Sequence, residues 1–403
     1  LKVWKKYDGQ SERYYDGLLA VVVLTGLIGF IINQPLLFVP TGLLLSLLLA
    51  SKLYDRFSGS NLHLHDSKRS IRLFPGDATH LSIRMNNLSR IPVLNGMLTF
   101  QIDKSVRSSG GMERGGNDEL SYRLPLSLIS HGESEVDLPI QAESRGVAKI
   151  KGVMFSYPHL LRFSPIKMEY NPTYNTEFIV YPKPKKIHGI DEVFHMSMGE
   201  HPASLSPFED ILTPIGTRDY VPSDPFHRIH WKASAKTNTL KTKVYERQID
   251  ISWTILVNVT EHTRLGNEHL SPEMEDLLSY ACDLCYYATE HGYPYEMVVN
   301  MRRPHQKPYF YQSEGEGNQH LRDSLELLAR VEKKQIPLPM NEMMYRLSHQ
   351  FYKQKTVIIL GEVPDQSLPY VKQWEAKGIR VIRLYVEDTF ATLAPIRLKE
   401  GQL

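Results

Sequence analysis

The sequence predicts a multi-domain chain of mixed α and β structure: an N-terminal transmembrane helical hairpin, a β-sandwich, then a three-layer α/β domain. Three observations carry that reading. No charged residue stands between Gly17 and Ser51; short alternating runs bounded by turn residues fill Asn61 to about Pro182; and beyond Ile251 strand-like apolar runs take turns with helical ones. With 403 residues the chain is too long for one ordinary domain. The expected limits are 1–56 for the N-terminus and hairpin, 57–182 for the sandwich, 183–215 for a connector, 216–250 for a compact polar motif and 251–403 for the α/β domain. The net charge of +2 gives no global field toward nucleic acid, so any basic function is local. Two cysteines, Cys282 and Cys285, exclude a disulfide framework and fit a reducing compartment.

As one straight helix the 35 charge-free residues would extend about 50 Å, against a hydrocarbon core of about 30 Å. Asn33, Gln34 and Pro35 interrupt the run, which predicts two arms, Tyr14 to Ile32 and Leu36 to Leu53, with Tyr14, Tyr15 and Tyr54 in the interfacial belt. Lys2, Lys5, Lys6 and Arg13 precede the first arm, Lys52 and Arg56 close the second, and the turn has no Lys or Arg. Both ends, and so the bulk of the chain, are expected on the cytoplasmic side of the cell membrane. A signal peptide also starts basic, but this run is too long, is split in two and follows Asp16.

Seven strands are expected in the sandwich: Ser70–Phe74, Thr79–Met85, Gly96–Ile102, Leu120–Leu126, Ser134–Ile140, Val147–Phe155 and Glu177–Tyr181. Pro75-Gly76-Asp77 is a hairpin turn signal. The Gly-rich stretch Ser108–Gly116 lacks a lysine at P-loop spacing and a following helix, so it reads as a mobile hairpin tip rather than a phosphate cradle.

The motif from Gly216 to Arg247 starts with a polar turn. Asp224 before Pro225 predicts a helix from Pro225 to Lys236 with Asp224 as N-cap, ended near Asn238. Phe226, Ile229 and Ala233 form an apolar stripe that packs inward with Trp231. Arg228, Lys232 and Lys236 fall on another face, with Asp224 and Arg228 spaced to pair, and Leu240, Thr242 and Val244 alternate as a half-buried strand.

In the α/β domain, Ile251–Val259 reads as a strand buried on both faces. Ser271 as N-cap, with Pro272 behind it, starts a helix to about His291. Strands are expected at Tyr295–Asn300, Pro308–Gln312, Thr356–Leu360 and Gly378–Val386, and helices at Asn318–Lys333, Asn341–Tyr352 and Ser367–Lys377. Ligands of such sheets bind at the carboxyl ends of strands, which here points to Asn258–His262.

Cys282 and Cys285 have zinc-like spacing but no second pair of ligands, and they fall on the inward face of their helix, as buried structural thiols. His227 and His230 could clamp a metal, yet no carboxylate follows at a suitable distance. Walker lysine, nucleophile-elbow serine and HExxH patterns are absent from the sequence, so neither catalysis nor a cofactor is expected. Arg218, Arg228, Lys232, Lys236, Lys241 and Lys243 could bind phosphate, anionic lipid or nucleic acid, or simply be solvated.

Arg218, Tyr220, Pro222, Asp224, Arg228, Ile229, His230, Trp231, Ala233, Ser234, Ala235 and Leu240 resemble the signature of the bacterial domain-of-unknown-function 58 family. Its pattern runs Arg-x-Tyr-x-Pro-Gly-Asp, Arg-Ile-x-Trp, then Ser-Ala-Arg. The order of hairpin, β-rich segment, signature and α/β tail is similar too. The resemblance implies a C-terminal domain related to the von Willebrand factor type A fold. It also implies an adaptor or assembly role beside a MoxR-type AAA+ ATPase and a transglutaminase-like membrane protein. Ser223 replaces the family's glycine, which puts the turn geometry in doubt, and Lys236 replaces its arginine. Where a metal-binding type A domain has Asp-x-Ser-x-Ser, this chain has Asn258, Thr260 and His262. The missing carboxylate predicts a degenerate site without metal. The alternative class is a phosphate-, lipid- or nucleic-acid-binding module, or an enzyme, using Arg218, Arg228 and Lys232.

Overall fold

The computed structural model describes residues 3–7, 11–33, 35–66, 68–110, 112–115, 119–159, 165–191, 209–247, 252–263, 267–303, 308–351, 355–387 and 390–396. The chain divides into two compact units, Leu1–Lys183 and Pro184–Leu403. The hairpin and the β-rich part therefore form one unit.

In the first unit α1 (Ser11–Ile32) and α2 (Phe38–Phe57) are joined through Asn33 at φ 52° and a 3-10 turn at Pro35–Leu37. Tyr15–Ile32 and Phe38–Phe57 have mean hydropathies of 2.2 and 1.2, and both helices are long and apolar enough to cross a membrane. Tyr15, Val22 and Leu48 pack between the arms, while Phe30, Ile31 and Leu36 are more than three-quarters exposed. At the foot of the hairpin the Tyr15 hydroxyl lies 2.8 Å from Ser51 Oγ and donates to Asp55 Oδ2 at 2.6 Å. His159 Nε2 meets the same carboxylate oxygen at 2.9 Å. These contacts offset the cost of half-burying the Asp55 carboxylate.

Among the described residues thirteen strands follow one another here: β1 (Trp4–Tyr7), β2 (Leu62–His65), β3 (Ser70–Leu73), β4 (Ala78–Asn87), β5 (Val93–Asp103), β6 (Val106–Ser108), β7 (Met112–Gly115), β8 (Glu119–Leu128), β9 (Gly132–Ala142), β10 (Gly146–Lys149), β11 (Lys151–Tyr157), β12 (Ile166–Tyr170) and β13 (Glu177–Val180). They form sheets ordered β1-β12-β11-β5-β8-β7, β2-β4-β9-β6 and β10-β13-β3. Alternate side chains such as Met85, Leu98, Phe100, Tyr122, Leu138 and Phe155 point into one shared core.

Six of the seven expected strands are present, the seventh is divided, and among the described residues five more stand beside them, so several readings need correction. Val147–Phe155 is two strands in different sheets, since the chain turns at Ile150 and Gly152 takes φ 58°. Ser108–Gly116 is not simply a hairpin tip: Ser108 ends β6, and Met112–Gly115 pairs with β8. Residues 111 and 116 lie outside the described residues. Trp4–Tyr7, expected only as a basic flank, adds to β12, because Trp4 finds Phe155 and Tyr170 to pack against. At Pro75-Gly76-Asp77 a turn is closed by Asp77 N donating to Phe74 O at 3.0 Å, with Gly76 at φ 98°, but it makes no hairpin, because β3 and β4 belong to different sheets.

In the second unit β14 (Glu209–Asp219) and β15 (Lys241–Arg247) make an antiparallel pair enclosing α3 (Trp231–Thr237). There follow β16 (Ser252–Val257), β17 (Thr260–His262), β18 (Glu268–Leu270), α4 (Met274–Glu290), β19 (Tyr295–Val299), β20 (Phe310–Gly315), α5 (Gly317–Ala329), α6 (Met340–Ser348), β21 (Lys355–Leu360), α7 (Leu368–Ala376), β22 (Arg380–Glu387) and β23 (Phe390–Pro395). The main sheet runs β20-β19-β16-β21-β22-β23, parallel through its four central strands and antiparallel at both edges.

Every residue of β16 and β19 is buried, as helices on both faces require. On one face Leu256, Val298 and Ile359 pack against Met343 of α6 and Trp374 of α7. On the other, Trp253 stacks on Tyr287 of α4 at 5.9 Å, and the Tyr295 hydroxyl meets Ser324 of α5 at 2.9 Å. The helix expected to be capped by Ser271 begins three residues later, with Ser271 Oγ accepting from Glu273 N at 3.2 Å in the turn before it.

The expected connector is partly structured. Ile187 N donates to the Asp283 carboxylate at 3.0 Å and His188 N to Ala391 O at 2.8 Å, whereas Glu209–Pro214 belongs to β14. Residues 192–208 lie outside the described residues.

Candidate functional site

The motif at 216–247 differs from its expected form at three points. Gly216–Asp219 is strand rather than turn. Asp224 is not a helix cap, and it pairs with Arg218 instead of Arg228. Its Oδ1 accepts from Arg218 Nη2 at 2.6 Å, and its Oδ2 accepts from Val221 N and Thr242 Oγ1, both at 3.1 Å. Chiefly the Arg218 hydrogen bond, then that of Val221, holds the carboxyl below its ordinary value.

The helix expected over Pro225–Lys236 is broken in two. Phe226–Arg228 makes a 3-10 turn, then Ile229 (φ −65°, ψ 131°) is extended and bridges Thr242. Burying Ile229 against β15 pulls the chain out of the helix. His230 then caps α3, its Nδ1 accepting from Ala233 N at 3.0 Å, and Asn238 ends it at φ 56°. Ser234 Oγ donates to His230 O at 3.0 Å and accepts from Lys241 N at 2.9 Å, which ties the helix to the strand. Ser223 takes no positive φ, so this turn does not require the family's glycine.

Of the four apolar residues expected to pack inward, Ile229 is buried and Ala233 half-buried, and the two aromatic ones are not covered. Phe226 is 72% exposed and Trp231 65%, with Val221 and Leu240 exposed beside them in sequence. Tyr220 lies 6.1 Å from Phe226, ring to ring. Among the cations, Lys241 is paired with Asp219 at 2.6 Å, and Lys232 and Lys236 are exposed on α3. Helical spacing revealed which residues share a face but not whether this chain supplies the surface that covers them.

At the carboxyl end of β16, Asn258 is fully buried. Its Oδ1 accepts from Asn300 Nδ2 at 2.6 Å and Thr260 N at 3.1 Å, and its Nδ2 donates to Glu362 O at 2.7 Å. The Thr260 hydroxyl lies 2.8 Å from both Asn258 Oδ1 and Glu268 Oε1, and its one proton serves one of them at a time. Asn300 Nδ2 also reaches Thr260 Oγ1 at 3.1 Å and Leu338 O at 3.2 Å, and Asn300 Oδ1 accepts from Val259 N at 2.7 Å. The Asn300 amide thus stands between the two side-chain oxygens that a hard cation would have to share. His262 N donates to Glu362 Oε2 at 2.7 Å.

Asn300, Glu268 and Glu362 were not picked out from the sequence, because they arrive from other elements. Among the described residues no three His, Cys, Asp or Glu side chains are placed to hold a metal. Cys282 and Cys285 are buried, and burial pushes the Cys285 thiol up to about 12.

No family model matches the chain, and no curated protein does. Among solved structures, a ScaB type I cohesin from Pseudobacteroides cellulosolvens aligns at 9% identity over 32% of this chain and 96% of its own, with a TM-score of 0.21. A ScaC cohesin from Acetivibrio cellulolyticus aligns at 12% over 29% and 99%, TM-score 0.21. A β-glucosidase from Listeria innocua aligns at 12% over 30% and 16%, TM-score 0.18. Likenesses this weak carry no argument about fold or activity.

Proposed function

We propose that the chain is a membrane-anchored, non-enzymatic adaptor or assembly factor of the domain-of-unknown-function 58 type, working with a MoxR-type AAA+ ATPase. It crosses the cell membrane twice and holds a β-sandwich and a degenerate von Willebrand factor type A-like domain on the cytoplasmic side. The observation that carries this reading is the exposure of Phe226 and Trp231 on a motif whose polar groups are closed on one another. Large aromatic side chains held out on a hydrogen-bonded frame are what a partner's pocket takes up. The Asn258–Asn300 cluster supports a type A fold that has given up its cation. A transglutaminase-like membrane protein is the second expected partner.

Crosslinking and capture of the full-length protein from its native membrane tests the proposal. The wild type recovers an AAA+ ATPase, and Phe226→Ala with Trp231→Ala loses it without losing thermal stability. Recovery of no ATPase overturns the reading. The anion-binding alternative is weakened by Arg218, whose guanidinium is spent on Asp224. A Lys232→Glu variant that stays folded but loses phosphate or anionic-lipid binding would restore it.

A further inference from the structure

We propose that one end of the β-rich unit is a lipid-contacting foot. The loops 88–92 and 129–131, together with Leu94, would dip into the interfacial layer of the membrane that the hairpin crosses. This rests on the hairpin spanning a bilayer.

Three independent strand registers put these residues at the hairpin's end of the unit. β2 starts five residues after α2 ends, and its first residue Leu62 pairs with Asn87, the last of β4. Leu88 N then donates to Asn61 O at 3.0 Å. Asn87 also faces Gly132, the first residue of β9, and Leu128, the last of β8, faces Val93. Contacts with the helices agree: the hydroxyl of Tyr157 donates to Ser58 O at 3.1 Å, and His159 reaches Asp55. The unit therefore sits flush with the last turn of α2. At about 1.5 Å per residue the 20 residues of α2 span about 30 Å, and Lys52, Asp55 and Arg56 put its last two turns in the interfacial layer rather than the hydrocarbon core. Four residues from Phe57 to Asn61 reach at most about 14 Å further, and the interfacial layer is roughly 5–8 Å deep.

This end displays three large apolar side chains among polar ones. Leu88 is 51% exposed, Leu94 53% and Ile129 64%, with Pro92, Arg90 and His131 exposed among them and Glu133 just behind. Exposed apolar side chains at a water-facing tip are costly, whereas at a bilayer surface they are buried. Part of the backbone of the tip is satisfied from within, which lowers the cost of leaving water. Asn87, fully buried, donates through Nδ2 to Ile91 O at 2.9 Å and Ile129 O at 3.2 Å, and its Oδ1 accepts from Ser89 N at 3.1 Å. Ser89 O in turn accepts from His131 N at 3.3 Å and Ser130 Oγ at 3.2 Å.

The full chain would be reconstituted in vesicles of phosphatidylcholine and phosphatidylglycerol, with an environment-sensitive fluorophore on single cysteines introduced as Leu94→Cys, Ile129→Cys, Leu24→Cys and Asp77→Cys. The native thiols are buried and do not compete. Quenchers are nitroxides carried shallow or deep on the lipid chains. The expected result is that labels at 94 and 129 shift to the blue and lose most of their emission to the shallow nitroxide. The label at 24 should be quenched by the deep one, and the label at 77, at the far end, by neither. Quenching at 24 with water-like emission at 94 and 129 overturns the foot and spares the hairpin. A blue shift at 94 and 129 without lipid quenching means that protein covers the tip, and overturns the foot as well. No quenching at 24 overturns the membrane reading and the foot together.

Discussion

Asn300→Ala is the sharpest perturbation of the second unit, because one buried side chain there meets four partners, its Oδ1 accepting from one and the two protons of its Nδ2 shared among three. Two of its partners, Asn258 Oδ1 and Thr260 Oγ1, keep other contacts in the variant. The other two do not: Val259 N–H loses its acceptor and Leu338 C=O loses the amide donor, inside a site with no exposure. Each buried group left unsatisfied costs about 1–3 kcal/mol, so the variant should lose about 2–6 kcal/mol. For a unit of this size roughly 2–4 °C of midpoint accompanies each kcal/mol, which predicts a fall of about 5–20 °C. The assay is thermal unfolding of the full chain in detergent, with hydrogen exchange followed in the peptide covering 255–262. The loss should be largest there. A midpoint within about 2 °C of wild type would refute the reasoning that the amide holds the strand end together. Asn300→Asp on the same assay puts a carboxylate beside Asn258 Oδ1 and Thr260 Oγ1. It should be destabilised without added ions and partly restored by Mg²⁺, while the wild type shows no Mg²⁺ response.

Other expectations follow from the same geometry. The carboxyl of Asp224 is held below its ordinary 3.8, so its stabilisation of the turn is present above about pH 4 and is lost as pH falls through the lowered folded value. The exchange protection of the Val221 amide should fall in that acid range in wild type and be missing at neutral pH in Asp224→Asn; equal protection in both would exclude the arrangement. Gly361 takes φ 99°, and a Cβ there would sit 2.2 Å from Asn258 O, so Gly361→Ala should cost about 3 kcal/mol or more in urea unfolding. Gly292 at φ 69° has open space around it, and its alanine variant should cost only about 1 kcal/mol. With its thiol pushed up to about 12 by burial, Cys285 should resist maleimide at about pH 8 until denaturant is added, and rapid labelling of the folded protein would contradict its placement.

Much of the architecture is legible in the sequence because it rests on local periodicity. The break at Asn33–Pro35 gave the hairpin, and the alternation in Thr79–Met85 and the apolar run after Ile251 gave sheets of two kinds. What was missed depends on pairing across the chain. Trp4–Tyr7 has too few residues to signal a strand and becomes one only against β12. The split at Ile150 is decided by which sheet each half pairs with.

The motif shows the same division. Its residue types alone marked 216–247 as the place to look, and Asn238 as the end of its helix, since a left-handed cap favours asparagine. Yet a carboxylate before proline has several possible donors. Only the approach of Arg218 and Thr242 across the β14–β15 pair settled that Asp224 ties the turn to the strands instead of capping a helix. Likewise the sequence determined that an amide, Asn258, stands at the carboxyl end of the buried strand that opens the α/β pattern. That Asn300 fills the space between Asn258 and Thr260, and that Phe226 and Trp231 face outward, was decided by tertiary structure, because occupancy and exposure depend on neighbours brought from elsewhere in the chain.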